Sequence, residues 1–244
     1  MKSRFTYLVM AALLAVAGVG FRIADLSTNN LAVAHSPMAW TDDFSTSPLE
    51  SRWSWIREDS SHWSLTNLPG FLRITTQQTF STVDNLLVQD APVGDYEIQT
   101  RLLFTPTENY QIAGLLIYEA DGDYLTLGRA YCSTLPPECV GNGIYFDLIE
   151  GGVFTGENYS MTTTTQGVAY LKVIRQGKVY AGYYSEDGSN WTLAGAHTAT
   201  ISPTKVGLRA SNQIQGAAEI PADFDFFTLI DDSIHVFLPL VLRE

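Results

Sequence analysis

The sequence predicts an all-β fold of packed antiparallel sheets, and three observations point there. Apolar and polar residues alternate in short runs, which is the period of strands half-buried against a core. Gly, Asn, Asp and Pro interrupt those runs at turn spacing, and helical spacing is hard to find. Many short strands at this spacing mean a sandwich or a barrel. No repeat period recurs, which argues against a propeller or solenoid.

The elements follow in order. Tyr96, Ile98, Thr100, Leu102 and Phe104 share one face of a strand, with Glu97, Gln99 and Arg101 on the other. Strands around Ile112 to Tyr118 and Tyr124 to Leu127 flank Ala120-Asp121-Gly122-Asp123, a hairpin turn in which Gly tolerates positive φ. A second hairpin joins the runs 170–175 and 179–184 through Gln176-Gly177-Lys178, and a third turns at Asp187-Gly188. The last strand, near 222–227, is expected beside the first, near Trp40 to Phe44, because sandwiches often bring their termini together.

The N-terminus carries Lys2 and Arg4, an apolar run from Tyr7 to Phe21 and the small-residue segment Ala32-Val33-Ala34. That order predicts a signal peptide over residues 1–36, with a single-span anchor as the alternative. Its removal takes away Lys2, Arg4, Arg22 and Asp25, so 14 basic residues become 11, 26 acidic residues become 25, and the net charge is −14. Such a surface repels phosphate backbones and anionic lipid, which argues against a nucleic-acid partner. Residues 37–231 fit one domain, with no linker to divide it. Residues 232–244, which include Ile234-His235-Val236-Phe237-Leu238, are too short for a membrane span and read as a terminal strand, a tail or a signal for cell-envelope attachment. The expected location is secreted or cell-surface, with no span left after cleavage. Cys132 and Cys139 enclose six residues with a Pro-Pro pair, which suits a disulfide-closed loop in an oxidising compartment; free thiols or half of a metal site are the rival readings.

Several stretches read together resemble one family. They are WSWIRED followed by HWSLTNLPGFLRI, then NLLVQDAP, YQIAGLLIYEADGDYLTLGR, LKVIRQGKVYAGYYSEDGSNWTLAG, KVGLRASN and ADFDFF. In this order they resemble the concanavalin A-like module at the C-terminus of family-43 glycoside hydrolases such as β-xylosidases, over residues 40 to 230. The resemblance implies a two-sheet antiparallel jelly-roll sandwich with a curved sheet that holds sugars or faces a catalytic partner. Ser185 to Trp191 also resembles the Asp-box hairpin of sialidases, but a single copy with Asp187 before Gly188 is explained by turn chemistry.

A glycosidase needs two carboxylates about 5 Å apart, or further apart by a water if it inverts. Glu119, Asp121 and Asp123 sit in an evident turn, and the spacing of Asp147 and Glu150 puts them on opposite faces of a strand. A standalone glycoside hydrolase is therefore an alternative to sugar binding, and a structural domain of the cell envelope is a second. The four histidines, His35, His62, His197 and His235, are scattered. Sugar binding draws on flat rings and on polar groups that pair with hydroxyls. The candidate rings are Trp55, Trp63, Tyr110, Tyr118, Tyr131, Tyr145 and Tyr184, and the polar candidates are Arg57, Asn85, Gln111, Arg129 and Asn142. Core packing is the competing account of each. Likeness to jelly-roll carbohydrate modules also implies a structural Ca²⁺ between the terminal strands, with Asp42, Asp43 and Asp225 as oxygen ligands; strand-end solvation explains them equally well. No cofactor is required for binding.

Overall fold

A computed structural model describes residues 38–78, 82–133, 139–212 and 217–232. The predicted signal peptide lies outside the described residues, and so does the tail from residue 233. The strands are β1 (Met38–Asp42), β2 (Ser54–Ile56), β3 (Trp63–Ser64), β4 (Leu72–Thr75), β5 (Leu86–Asp90), β6 (Tyr96–Leu103), β7 (Gln111–Ala120) and β8 (Asp123–Cys132). They continue with β9 (Gly141–Glu150), β10 (Val153–Phe154), β11 (Tyr159–Thr162), β12 (Val168–Gln176), β13 (Val179–Ser185), β14 (Thr192–Thr198), β15 (Lys205–Asn212) and β16 (Pro221–Asp231). There is no helix among the described residues, hence none long and apolar enough to cross a membrane.

Every strand pairing is antiparallel. The first sheet runs β14-β13-β12-β6-β16-β4-β3, with β1 also on β16. The second runs β10-β9-β8-β7-β15-β5-β2, with β11 also on β9. The first and last strands are neighbours as expected, Trp40 standing opposite Leu229. The hairpins predicted at 120–123 and 176–178 join β7 to β8 and β12 to β13.

The alternation in the sequence becomes the two faces of each sheet. On β6, Tyr96, Ile98, Thr100 and Leu102 are buried while Glu97, Gln99 and Arg101 are partly exposed. Those inward positions meet Ala113, Leu115 and Ile117 of β7, Leu125 and Leu127 of β8 and Ile144, Phe146 and Leu148 of β9 in one continuous core. The terminal strands are sealed by an aromatic cluster, in which Trp53 contacts Phe227 at 5.1 Å and Trp40 at 5.6 Å between ring centroids.

Two polar ties cross between the sheets. His197 of β14 shares a hydrogen bond with the carbonyl of Phe146 on β9 at 3.0 Å, and its ring stands edge-on to those of Phe146 and Tyr159. Arg129 of β8 is fully buried and donates to Asn142 Oδ1, Thr163 Oγ1 and the carbonyl of Val168 at the start of β12. Burial pushes its guanidinium down to about 10, since a desolvated charge is disfavoured.

Candidate functional site

The outward face of the second sheet is not uniformly polar. The register sets Leu116, Thr126 and Asp147 in one row across β7, β8 and β9, with Gly114, Gly128 and Tyr145 in the next. A Cβ on Gly114 would lie 2.2 Å from the Leu127 carbonyl oxygen, and one on Gly128 would lie 2.5 Å from that of Ala113. The strands therefore approach closely here, and only glycine allows it. Arg209 of β15 is almost wholly buried, with its guanidinium carbon 5.2 Å from the Tyr124 ring centroid and an amino group donating to Ser211 Oγ at 2.7 Å. Its Nε has no partner among the described residues.

Where this face reaches β9 it opens into a cleft of about 250 Å³. Ile112, Ala130, Tyr131, Cys132, Tyr145 and Asp147 line it from the sheet, Cys139 from the β8–β9 connection, Phe154, Asn158 and Tyr159 from the segment after β9, and Tyr110 from the loop before β7. Cys132 and Cys139 are joined by a disulfide, so the loop-closing reading of the pair holds. Tyr110 adopts φ +68°, uncommon for a bulky residue, and is 43% exposed. The Tyr145 hydroxyl donates to the Gly141 carbonyl at 2.8 Å and accepts from the Val140 N–H at 3.0 Å. The Tyr159 hydroxyl donates to the Ala196 carbonyl.

Asp147 is the charged group of the cleft. It has no hydrogen-bond or ion-pair partner among the described residues, and it is recessed enough that desolvation pushes its carboxyl up to about 6 against a weaker opposing pull from Arg209. Asp147 is half-buried, so its carboxylate, which no group among the described residues engages, stays open to a ligand from the floor of an aromatic-walled cleft.

Three of the sequence candidates meet in this cleft: Tyr110, Tyr131 and Tyr145. Tyr145 is buried along most of its ring, against the expectation of exposure. The others are dispersed. Trp55 and Trp63 stack on each other at 4.9 Å, half-buried at the core margin, and Trp63 Nε1 donates to Glu58. Arg57 donates to the Val83 carbonyl and pairs with Asp121, which also accepts from the Tyr118 hydroxyl. Asn85, Gln111 and Arg129 are fully buried, a correction to their reading as surface partners of a ring. Asn85 holds Asp59 and Gln77, while Gln111 accepts from the Thr107 and Glu108 N–H groups and donates to Ala218. Their polar atoms are used inside the fold. Asn142 accepts from Arg129 and donates to Gln166, and Tyr184 lies in a shallow depression beside the Asp187 turn. Asp187 accepts from the Ser189 and Asn190 N–H groups, as its turn role requires.

The carboxylates of the calcium expectation do not converge. Asp42 is buried and accepts from the Phe44 N–H and Trp53 Nε1, each at 2.8 Å; Asp43 accepts from the Ser45 N–H; Asp225 pairs with Arg101 at 2.7 Å. Ca²⁺ takes six to eight oxygens, and these three residues do not fit it. No group of three or more His, Cys, Asp or Glu is placed to hold a metal among the described residues. Asp147 lines the cleft and Glu150 does not. Glu150 accepts from the Thr200 and Ile201 N–H groups, Glu119 from Ser202, and Asp123 from Gly151.

The sequence reading omitted Phe154, Tyr159 and Arg209 and weighed Asp147 only as half of a catalytic pair. Asp147 had a usable signal, an acidic residue inside the otherwise apolar or aromatic run 144–149 of β9. Phe154 and Tyr159 had none, since the return of segment 153–162 along β9 is visible only in the pairing.

The family model described as the β-xylosidase C-terminal concanavalin A-like domain matches residues 41–229. No curated protein matches the chain. Among solved structures, a GH43 protein of Bacillus licheniformis is similar at 25% identity and a TM-score of 0.69, over 78% of this chain and 39% of that one. A xylan β-1,4-xylosidase of Bacillus halodurans is similar at 23% and 0.65, over 78% and 38%. A bifunctional GH43-CE protein of Bacteroides eggerthii is similar at 22% and 0.64, over 80% and 27%. The chain thus spans about two-fifths or less of the length of these structures, and below 25% identity the likeness is one of fold. Its two antiparallel sheets and the match over nearly all the described strands together show that the chain belongs to the family of β-xylosidase C-terminal concanavalin A-like domains.

Proposed function

We propose that this domain is an exported carbohydrate-binding module and that it takes sugar in the cleft beside β9. The observation that carries this reading is Asp147, a recessed carboxylate with no partner among the described residues, at the floor of a cleft walled by tyrosine and phenylalanine. Rings pack against the C–H face of a sugar, and a free carboxylate accepts its hydroxyls. Membership of a family named for its place in β-xylosidases supports a carbohydrate as the ligand class. Hydrolysis is less well supported: none of the cleft-lining residues beside Asp147 is a second carboxylate, and both hydrolytic mechanisms need two.

Calorimetry and affinity electrophoresis against xylan, arabinan and other plant polysaccharides test the reading. Binding that is lost in Asp147→Asn and weakened in Tyr110→Ala is the expected result. Flat responses to these and to amino-sugar polymers alike refute it, and new reducing ends released from any of the polymers would replace it with catalysis. Secretion is tested by whether the mature protein, recovered from culture medium, begins near Ser36.

A further inference from the structure

The cleft that suits a sugar is furnished for a cation as well. A neutral sugar asks for several uncommitted donors and acceptors. Here two of the wall hydroxyls are already engaged, Tyr145 with Gly141 and Val140 and Tyr159 with Ala196. What remains is ring surface, one carboxylate, the Asn158 amide and the hydroxyls of Tyr110 and Tyr131, and the carboxylate is the single charged group among them.

That combination matches the chemistry of an ammonium group, which aromatic faces attract through their quadrupole and a carboxylate neutralises directly. No Lys, Arg or His lines the cleft among the described residues, so nothing in its wall repels a cation. Arg209, whose charge acts on Asp147 more weakly than desolvation does, lies outside the lining and faces the Tyr124 ring and Ser211. The chain as a whole has a net charge of −12, which draws cations to its surface.

We propose that the cleft is selective for a saccharide bearing a protonated amine, an amino sugar without its N-acetyl group, whose ammonium pairs with Asp147. This rests on the carbohydrate-binding reading of the same cleft and sharpens its ligand class. The ammonium would supply the partner that Asp147 lacks, while Tyr110, Tyr131 and Phe154 offer ring surface to the sugar.

The test is calorimetry of the full domain with β-1,4-linked glucosamine oligomers, their N-acetylated counterparts and xylo-oligosaccharides of equal length. Binding of the free-amine oligomer at least tenfold tighter than the N-acetylated one, with the preference erased in Asp147→Asn, is the expected result. Equal affinity for all three overturns the amine preference and leaves carbohydrate binding standing. Tight binding of the free-amine oligomer that persists in Asp147→Asn also overturns it, because the attraction would then come from the acidic surface at large. No binding of any of the three overturns it as well. Silence of the plant polysaccharides too would remove the carbohydrate reading with it.

Discussion

Replacing Asp147 by Asn should make the domain more stable at neutral pH. The carboxyl is raised from 3.8 to about 6 by burial, so in the folded state its ionisation is resisted. A displacement of that size corresponds to roughly 3 kcal/mol at a pH above both values. The sign follows from proton binding. The folded state holds the proton more tightly than the unfolded state, so the group's favourable contribution is complete below about 3.8 and is lost as pH rises through about 6. Asn keeps the size and polarity of the neutral acid without ionising. Urea unfolding at pH 7.5 should show Asp147→Asn more stable by about 2–3 kcal/mol, a rise of roughly 5–10 °C in Tm for a domain of this size. At pH 3 the two proteins should coincide. A variant no more stable than the parent at pH 7.5, or equally stabilised at both pH values, would refute the claim that Asp147 is an unpaired charge held at a thermodynamic loss.

Three further outcomes are expected. Arg129→Met should cost about 3 kcal/mol or more in urea unfolding, since it strands the acceptors Asn142, Thr163 and Val168 inside the protein. His197 has a value held below its ordinary 6.5 chiefly by burial, so its contribution to stability is present above about 6.5 and lost as pH falls below it; His197→Gln, which can still donate to the Phe146 carbonyl, should narrow its deficit against the parent between pH 7.5 and 5.5. Paired Cys132→Ser and Cys139→Ser substitutions should lower stability by roughly 2 kcal/mol, the loop-closure value for so short a loop, and should weaken ligand binding in calorimetry because both residues border the cleft.

Much of the architecture was legible because the period of two survives in almost every long strand. Residues 96–103 alternate buried and partly exposed without exception, as the sequence predicted, and the Asp-Gly turn at 121–122 stands where the hairpin chemistry put it. The site was legible only in part. Exposure was inferred from closeness to turns, and that rule fails for Asn85, Gln111 and Arg129, which turn inward to satisfy backbone groups of chain segments distant in sequence. Polar residues near a loop are drawn inside when the loop's own N–H and C=O groups would otherwise go unpaired, and no local pattern announces it. The three carboxylates named for calcium do not fit it for a related reason. Adjacent terminal strands bring Asp42 near Phe227 in register, yet the Trp53 indole and the Arg101 guanidinium had already claimed the carboxylates of Asp42 and Asp225.

The His197 bond to the Phe146 carbonyl has a bearing on how ligand binding would look in solution. Phe146 stands next to Asp147 and is paired to β8 on one side and to β11 on the other, so the cleft floor is anchored along the chain, across the sheet and through the sandwich. Amide hydrogens at 144–148 should therefore exchange only when the whole domain unfolds, while those of the segment 151–158 exchange through local opening. A floor this rigid has little conformational freedom left to surrender when a ligand arrives, so the entropy of binding should be set by the wall formed by Phe154, Asn158 and Tyr159.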